Sequence, residues 1–377
     1  GVLLGYRAYR FVANGSPAIS SRHLEHLHGN PRADFGGWLM PIEYPQSGVL
    51  AEHAAVRERV GLFDVSHLGK ASVKGSGALD FLNSILTNDL NRISDGMAQY
   101  TMLCNDQGGV IDDLIAYRNS ADDIFLVPNA SNTADVVASL EAQLIPGIEI
   151  KNLHNEYAVL ALQGPATARV LDSVGVGASI DYMNFTHVQI AGCDVILCRT
   201  GYTGEFGFEL LPLWKDAEKV WDALVLAIAA FDGLICGLGS RDTLRTEMGY
   251  PLHGHELSLD ITPVQASASW AVGWKKDKFA GDSVLRGERT NGPRRFLHGL
   301  KSLDRGIPRA GMSVKDSDGI EVGVITSGTF SPTLKNGIAL ALLDSSVSLG
   351  TMVVIDVRGR ASQAEVVSLP FVESHVR

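Results

Sequence analysis

The chain has 377 residues, 45% of them hydrophobic and 20% charged, with 40 glycines and 14 prolines, a balance that excludes a disordered chain or a stapled miniprotein and predicts two or three domains with proper cores. Its 32 Lys and Arg stand against 42 Asp and Glu, a net charge of −10, so the overall field repels phosphate backbones and argues against nucleic-acid binding. The longest apolar stretch, Val220 to Phe231, is too short to span a bilayer and contains Asp222, so no membrane span is predicted. Four cysteines, Cys104, Cys193, Cys198 and Cys236, form neither a C-x-x-C pair nor a zinc-ligand pattern, and a reducing, cytoplasmic compartment fits them best.

The chain begins GVLLGYRAYRFVANG, with Arg7 and Arg10 inside the apolar part rather than before it, unlike a signal peptide. These first 15 residues read as a tag remnant, a frayed extension or an organelle-targeting remnant. From Gly61 to Leu144 strand-like runs alternate with short amphipathic helices. One is expected to be capped by Ser76 and to carry Leu79, Leu82, Ile85 and Leu86, another by Asn132 with Val136, Val137, Leu140 and Leu144. The texture repeats from Tyr157 to Gly254, where Ala217, Val220, Trp221, Leu224, Val225 and Ile228 fall at the spacing of a buried helical stripe. After Lys275 the helical period fades and short strand-like segments predict a small all-β barrel or sandwich, with residues 274–295 as the expected linker.

Residues 98–118, AQYTMLCNDQGGVIDDLIAYR, read as a β-hairpin turning through Asn105 to Gly109. On its returning strand Ile111, Asp113, Ile115 and Tyr117 share one face and Val110, Asp112, Leu114 and Ala116 the other, so the adjacent carboxylates point apart. That opposes a glycosidase-like acid/base pair, and a carboxylate on an apolar strand needs a partner, as a structural anchor or as a site group. Residues 198–211, CRTGYTGEFGFELL, match no phosphate-binding glycine motif, but Tyr202 and Glu209 bring an aromatic face and a carboxylate close to flexible backbone, as a flat heteroaromatic ligand would require. In GLGSRDTLRTEMGYPLHGHEL, residues 237–257, a helix start is followed by a loop; Arg241 and Arg245 share a face that could meet a ligand carboxylate or bridge to Asp242 and Glu247. His253, His255 and Glu256 lack a third histidine at useful spacing, so no metal is expected, and no G-x-S-x-G supports hydrolase chemistry around Ser66 and His67.

Together, FGGWLMPIEY (35–44), VRERVGLFDVSHLGK (56–70), LTNDL (86–90), GGVIDDL (108–114), LQGP (162–165), RTGYTGE (199–205), GSRDTLRTEMGYPLHGHEL (239–257) and TSGTFSPTL (326–334) resemble, in matching order, the aminomethyltransferases or T-proteins of the glycine cleavage system. The resemblance implies an α+β fold of three domains arranged as a cloverleaf around a central folate cavity, with a C-terminal all-β barrel-like domain. It implies a discontinuous first domain over residues 16–65 and 150–260, a second over 66–149 carrying the hairpin, and a third over 275–377. The implied reaction moves a methylene unit from the aminomethyl group on the lipoyl arm of an H-protein to tetrahydrofolate, releasing ammonia and leaving 5,10-methylenetetrahydrofolate, in the cytoplasm or, in a eukaryote, the mitochondrial matrix.

By position in the family's motifs, Asp113 would be the catalytic carboxylate, orienting the folate nitrogen and stabilising the cationic centre, and Tyr100, Tyr117, Tyr182, Tyr202, Glu209 and Arg241 would bind the folate. Glu209 would accept from pterin N–H groups and Arg241 would pair with the folate glutamate or brace the pocket floor. One departure is PFVES at 370–374, which lacks the tyrosine and basic residue that often follow Pro-Phe in the family. Relatives of the same superfold offer two alternatives, a folate-dependent demethylase and a non-catalytic folate-binding protein. The latter type carries a K-G-C-Y-x-G-Q element where this chain reads RTGYTGE.

Overall fold

A computed structural model describes residues 32–377; the expected N-terminal extension lies outside the described residues. The described chain opens with a hairpin, β1 (Arg32–Phe35) and β2 (Trp38–Pro41), then α1 (Gly48–Glu58) and β3 (Gly61–Asp64). It next builds a separate unit from β4 (Ala71–Lys74), α2 (Ala78–Asn83), β5 (Met97–Cys104), β6 (Val110–Ser120), β7 (Asp123–Val127), α3 (Thr133–Glu141) and β8 (Glu149–Asn152). Afterwards it returns to the first unit with β9 (Leu160–Gln163), α4 (Thr167–Ser173), β10 (Phe185–Ile190), β11 (Cys193–Cys198), β12 (Gly207–Pro212), α5 (Ala217–Ala229), β13 (Leu234–Cys236) and α6 (Leu238–Glu247). Last come α7 (Asp282–Asn291) and β14 (Arg295–Ser302), β15 (Ser313–Lys315), β16 (Glu321–Ser331), β17 (Asn336–Asp344), β18 (Met352–Val357) and β19 (Arg360–Val367).

Besides the two-stranded β1–β2 sheet, three larger sheets form among the described residues, and the fold is α+β as expected. A six-stranded sheet runs β10-β11-β12-β9-β3-β13, a five-stranded one β5-β6-β7-β4-β8, and the C-terminal strands close a six-stranded barrel, β14-β17-β16-β15-β18-β19. β3 pairs with β9 across the whole excursion of the second unit, so the first sheet is assembled from two separated stretches of chain. The stripe on α5 packs on that sheet through Ala217, Val220, Trp221, Leu224 and Ile228, while Val225 is only partly covered. Among the described residues no helix is long and apolar enough to cross a membrane.

Local expectations need three corrections. Ser76 caps nothing: α2 starts from Gly77, whose φ of 86° suits a residue without Cβ, and the helix ends before Ile85 and Leu86, which are buried in the turns that follow. Leu144 lies beyond the end of α3 and is exposed, because the helix stops at Glu141. The expected linker is not free chain. It contains α7, and its Phe279 and Leu285 are buried with Met102, Cys104 and Val110 of the second unit and Leu297, Leu340 and Leu342 of the barrel. Its charge-rich composition reflects the exposed face of a short helix, whose apolar contacts are too sparse to show a period.

The segment after α6 ties the units together. Val110 N–H donates to Ser258 O at 2.8 Å, and a Cβ on Gly109 would collide with the Leu259 carbonyl, so the hairpin tip is glycine because another backbone passes against it. His253 Nε2 donates to Val110 O of β6 at 2.9 Å, His255 Nδ1 to Thr326 O of β16 at 2.8 Å, and Glu256 accepts from Arg245 of α6 at 3.0 Å. The two histidines of the H-x-H sequence thus anchor in different units.

Candidate functional site

Strand alternation on β6 does separate the two aspartates. Asp112 is fully buried, and its carboxylate accepts from Asn129 N–H at 2.9 Å, Asn129 Nδ2 at 2.9 Å and Asn132 Nδ2 at 2.7 Å. It locks β6 to the start of α3, the structural role of a satisfied buried charge. Asp113 is partly open; its Oδ2 accepts from the Tyr100 hydroxyl at 2.9 Å and its Oδ1 from Asn129 Nδ2 at 2.8 Å. Tyr100 stands opposite Ile115 in the β5–β6 ladder, one pleat from Asp113 on the same face, which is why its phenol reaches the carboxylate. Burial raises the Asp113 carboxyl, opposed by the Tyr100 hydrogen bond and by His253. Burial and then the charge of Asp113 raise Asp112. Trp270 stacks on Tyr100 with centroids 5.2 Å apart and is 64% exposed, an open aromatic surface beside the carboxylate.

The second part of the site comes from the first unit. Glu209, buried on β12, accepts from the Thr200 hydroxyl through Oε2 at 2.6 Å; no hydrogen bond among the described residues reaches Oε1. Because the Thr200 hydrogen is used there, Tyr117 Oη, 3.4 Å away, is the donor to Thr200. Tyr202 stacks on Tyr250 at 5.7 Å and carries the Arg241 guanidinium 4.7 Å from its ring centroid. Tyr202 and Arg241 line a cavity of about 520 Å³ together with Phe35, Leu252, His255 and Arg309. Asp113, Tyr100 and Glu209 are not part of that wall but lie within electrostatic reach of it. Burial raises the Tyr202 phenol, with Arg245 opposing and Asp113 adding to the rise, and burial lowers Arg241 against the opposing charge of Glu209.

The two arginines of α6 divide. Arg245 is buried and fully engaged, with Asp242 at 2.7 Å, Glu256 at 3.0 Å and Ser327 at 2.9 Å. Arg241 has no ion-pair partner among the described residues. Glu247 does not pair with either; it holds Arg57 at 2.7 Å and His53 at 3.3 Å. Tyr117 is buried against Phe185 and Phe125 and faces a separate cavity of about 340 Å³, so it meets the site only through Thr200 and Glu209. Tyr182 lies near Arg199 and Arg377, each guanidinium within 6 Å of its ring, at 5.9 and 5.8 Å, and feels the charge of Glu209. The segment after Pro370 thus brings Arg377, rather than a residue of PFVES, to Tyr182. Sequence reasoning missed Asn129, Thr200 and Trp270. Asn129 had a signal in the polar VPNASN run between β7 and α3; the other two are placed by pairing between distant segments.

Known proteins agree with this architecture. Residues 22–276 match the GCVT N-terminal domain model and residues 295–373 the glycine cleavage T-protein C-terminal barrel domain model. The chain is 58% identical over 359 residues to an aminomethyltransferase of Parafrankia sp. (strain EAN1pec), covering 95% of this chain and 98% of the relative. It is 56% identical over 361 residues to that of Mycobacterium tuberculosis (strain ATCC 25618 / H37Rv), covering 95% and 97%. A crystal structure of glycine cleavage system aminomethyltransferase T from Bartonella henselae superposes with a TM-score of 0.86 at 34% identity, covering 93% of this chain and 97% of that one. With both domain models matched, relatives above half identity over nearly the whole chain and the same fold in a solved structure, this chain belongs to the aminomethyltransferase family, the T-proteins of the glycine cleavage system.

Proposed function

We propose that this aminomethyltransferase takes the one-carbon unit from the S-aminomethyl-dihydrolipoyl arm of an H-protein and delivers it to tetrahydrofolate, releasing ammonia, at the site formed by Asp113, Tyr100, Tyr202, Glu209 and Arg241. The observation that carries this reading is a set of polar groups left with open valences: on the cavity wall an Arg241 guanidinium with no carboxylate partner among the described residues, and off that wall Glu209 Oε1 and Asp113 beside an exposed Trp270. Those groups fit a folate, which offers N–H donors at one end, a flat ring to stack and carboxylates at the other. Tetrahydrofolate, when bound, supplies the nitrogen that accepts the one-carbon unit.

The chain's own residues do the positioning. Tyr100 and Asn129 fix the two oxygens of Asp113 and leave each a lone pair for a ligand N–H, so a negative charge is held ready where positive charge develops. Glu209, oriented by Thr200 and behind it Tyr117, accepts from a donor edge. Arg241, held over the Tyr202 ring, is placed to receive an anionic group of the ligand. Holding the reactants in line supplies much of the rate gain.

A carrier partner finds support at the barrel. Arg305, Arg309, Arg358 and Arg360 are exposed around a cavity of about 500 Å³, and Arg309 also lines the site cavity. In a chain of net charge −10, this local excess of guanidinium groups suits an acidic protein arriving at the mouth. The four cysteines are buried and free, in keeping with a reducing compartment such as the cytoplasm. The test is ammonia release and 5,10-methylenetetrahydrofolate formation from aminomethyl-loaded H-protein, with and without tetrahydrofolate. Folate-dependent release is expected; release that ignores folate, or none despite folate binding, would overturn the reading.

A further inference from the structure

The cavity of about 340 Å³ onto which Tyr117 opens takes no part in the reading above. It lies between two sheets. One wall is the face of the five-stranded sheet that its helices leave uncovered: Tyr117, Phe125 and Ser72 stand in register across β6, β7 and β4. Ala71 and Val73, the neighbours of Ser72 on β4, point the other way, into the core with Leu79 of α2 and Val136 of α3. The facing wall belongs to the six-stranded sheet, through Phe185 of β10, Cys198 of β11 and Leu211 of β12. Burial is graded from floor to mouth. The Tyr117 ring is buried and meets those of Phe185 and Phe125 edge to face, with centroids 5.4 and 6.4 Å away. At the other end Lys74, Asn119 and His187 are exposed, and Lys74 Nζ pairs with Asp123 at 3.1 Å.

Two hydroxyls on this lining are left open. Ser72 is 4% exposed, yet its hydroxyl makes no hydrogen bond among the described residues, and neither does that of Tyr157. A hydroxyl lodged among apolar walls gains free energy when the edge of a ligand completes its hydrogen bonding. The ion pair at the mouth is neutral within itself, so it does not select for a charged ligand. We propose that this cavity is a second small-molecule site, taking an uncharged flat aromatic ring with one hydrogen-bonding edge, the ring among Tyr117, Phe125 and Phe185 and the edge at the Ser72 hydroxyl. Its volume, its aromatic lining with few polar groups and its place between two units are those of small-molecule sites, which span roughly 300 to 1,000 Å³. Tyr117 is the partition between this site and the Glu209 pocket: its ring lines the cavity, while its hydroxyl donates to Thr200, which in turn donates to Glu209. A ring bound here therefore coexists with a folate instead of competing with it.

The probe is 5-fluoroindole, an uncharged bicycle with a single N–H, followed by fluorine NMR on the full chain. Saturable binding of one equivalent is expected, with a Kd roughly between 0.1 and 1 mM, and saturating tetrahydrofolate should not displace it. Ile196, a partly exposed position on the lining, allows the cavity to be filled from one side, and Ile196→Trp should abolish binding. Ser72→Ala should weaken it about fivefold, the loss of one hydrogen bond. No saturation below about 5 mM, displacement by tetrahydrofolate, or a Kd unchanged in either folded variant would overturn the proposal. Ser72→Ala removes a single atom, so it keeps the test decisive if the tryptophan variant fails to fold. Neither variant comparison needs turnover or folate binding, and a failure of the transfer reading would leave both intact.

Discussion

Two buried charged regions lie at opposite ends of α6, and they differ in how completely they are satisfied. Around Glu247 every valence is used: Arg57, His53, Ser331, Thr333 and its N–H all point at one carboxylate, and Arg57 also takes Glu205 at 3.0 Å. Around Arg241 they are not, and the guanidinium, Glu209 Oε1 and Asp113 keep free capacity beside a cavity. A charge buried in a fold must be compensated, and where the chain itself does not complete the compensation, a ligand can. The saturated cluster joins α1, α6 and the barrel; the unsaturated one is where chemistry fits.

Removing the saturated carboxylate is the strongest test of the contrast. Glu247→Ala leaves Arg57 with Glu205 as its remaining carboxylate and takes the acceptor from Ser331 and Thr333; it is expected to cost about 3–5 kcal/mol of stability, read as a lowered denaturant midpoint, with the folded fraction still binding folate. Burial alone would raise the Glu247 carboxyl, but His53, Ser331 and Arg57 bring it down to about 2. Its contribution is therefore fully present above the ordinary carboxylate range and is lost as pH falls towards 2. Denaturation midpoints that stay level between pH 6 and 3, roughly the window this shift predicts, would contradict that assignment.

At the unsaturated end the loss should appear in turnover. Asp113→Asn, nearly isosteric, is expected to lower kcat by roughly 10² or more while leaving the fold intact. Asp112→Asn should instead lower stability by about 1–3 kcal/mol, and equal catalytic losses in both folded variants would break the face assignment on β6. Arg241→Gln should raise the folate KM about tenfold with kcat little changed; a kcat effect alone would place Arg241 at the reacting atoms rather than at the anionic end. The smallest effect concerns the barrel arginines. Adding salt should raise the carrier KM by roughly threefold, and Arg309→Ala should flatten that dependence; a KM indifferent to salt would remove the electrostatic docking role.

Much of this was legible in the residues. Strand alternation was enough to send Asp112 and Asp113 to different faces, and the ordered motifs pointed to the family, the α+β fold and the C-terminal barrel. Short-range capping signals fared worse, as Ser76 and Leu144 show, because tertiary packing around α2 and α3 ended those helices earlier than their apolar residues suggested. The charge-rich stretch before the barrel concealed α7, since Leu285 is the one buried residue of that helix and a single apolar side chain sets no period.

What the sequence determined by itself is what depends on neighbours along the chain: the pleat of β6, the buried stripe of α5, the turn glycines and the family motifs. Only the tertiary structure decided what depends on meetings between distant segments. It brought Glu256 and Ser327 to Arg245 and left Arg241 with Tyr202, brought Thr200 to Glu209, laid Trp270 on Tyr100, and sent His253 and His255 to different units. Two arginines four residues apart carry the same charge and the same propensity. Asp242 was within reach of Arg245 along the helix, but Glu256, the buried carboxylate that completes its pairing, comes within about 4 Å only through folding, and no local pattern encodes that distance.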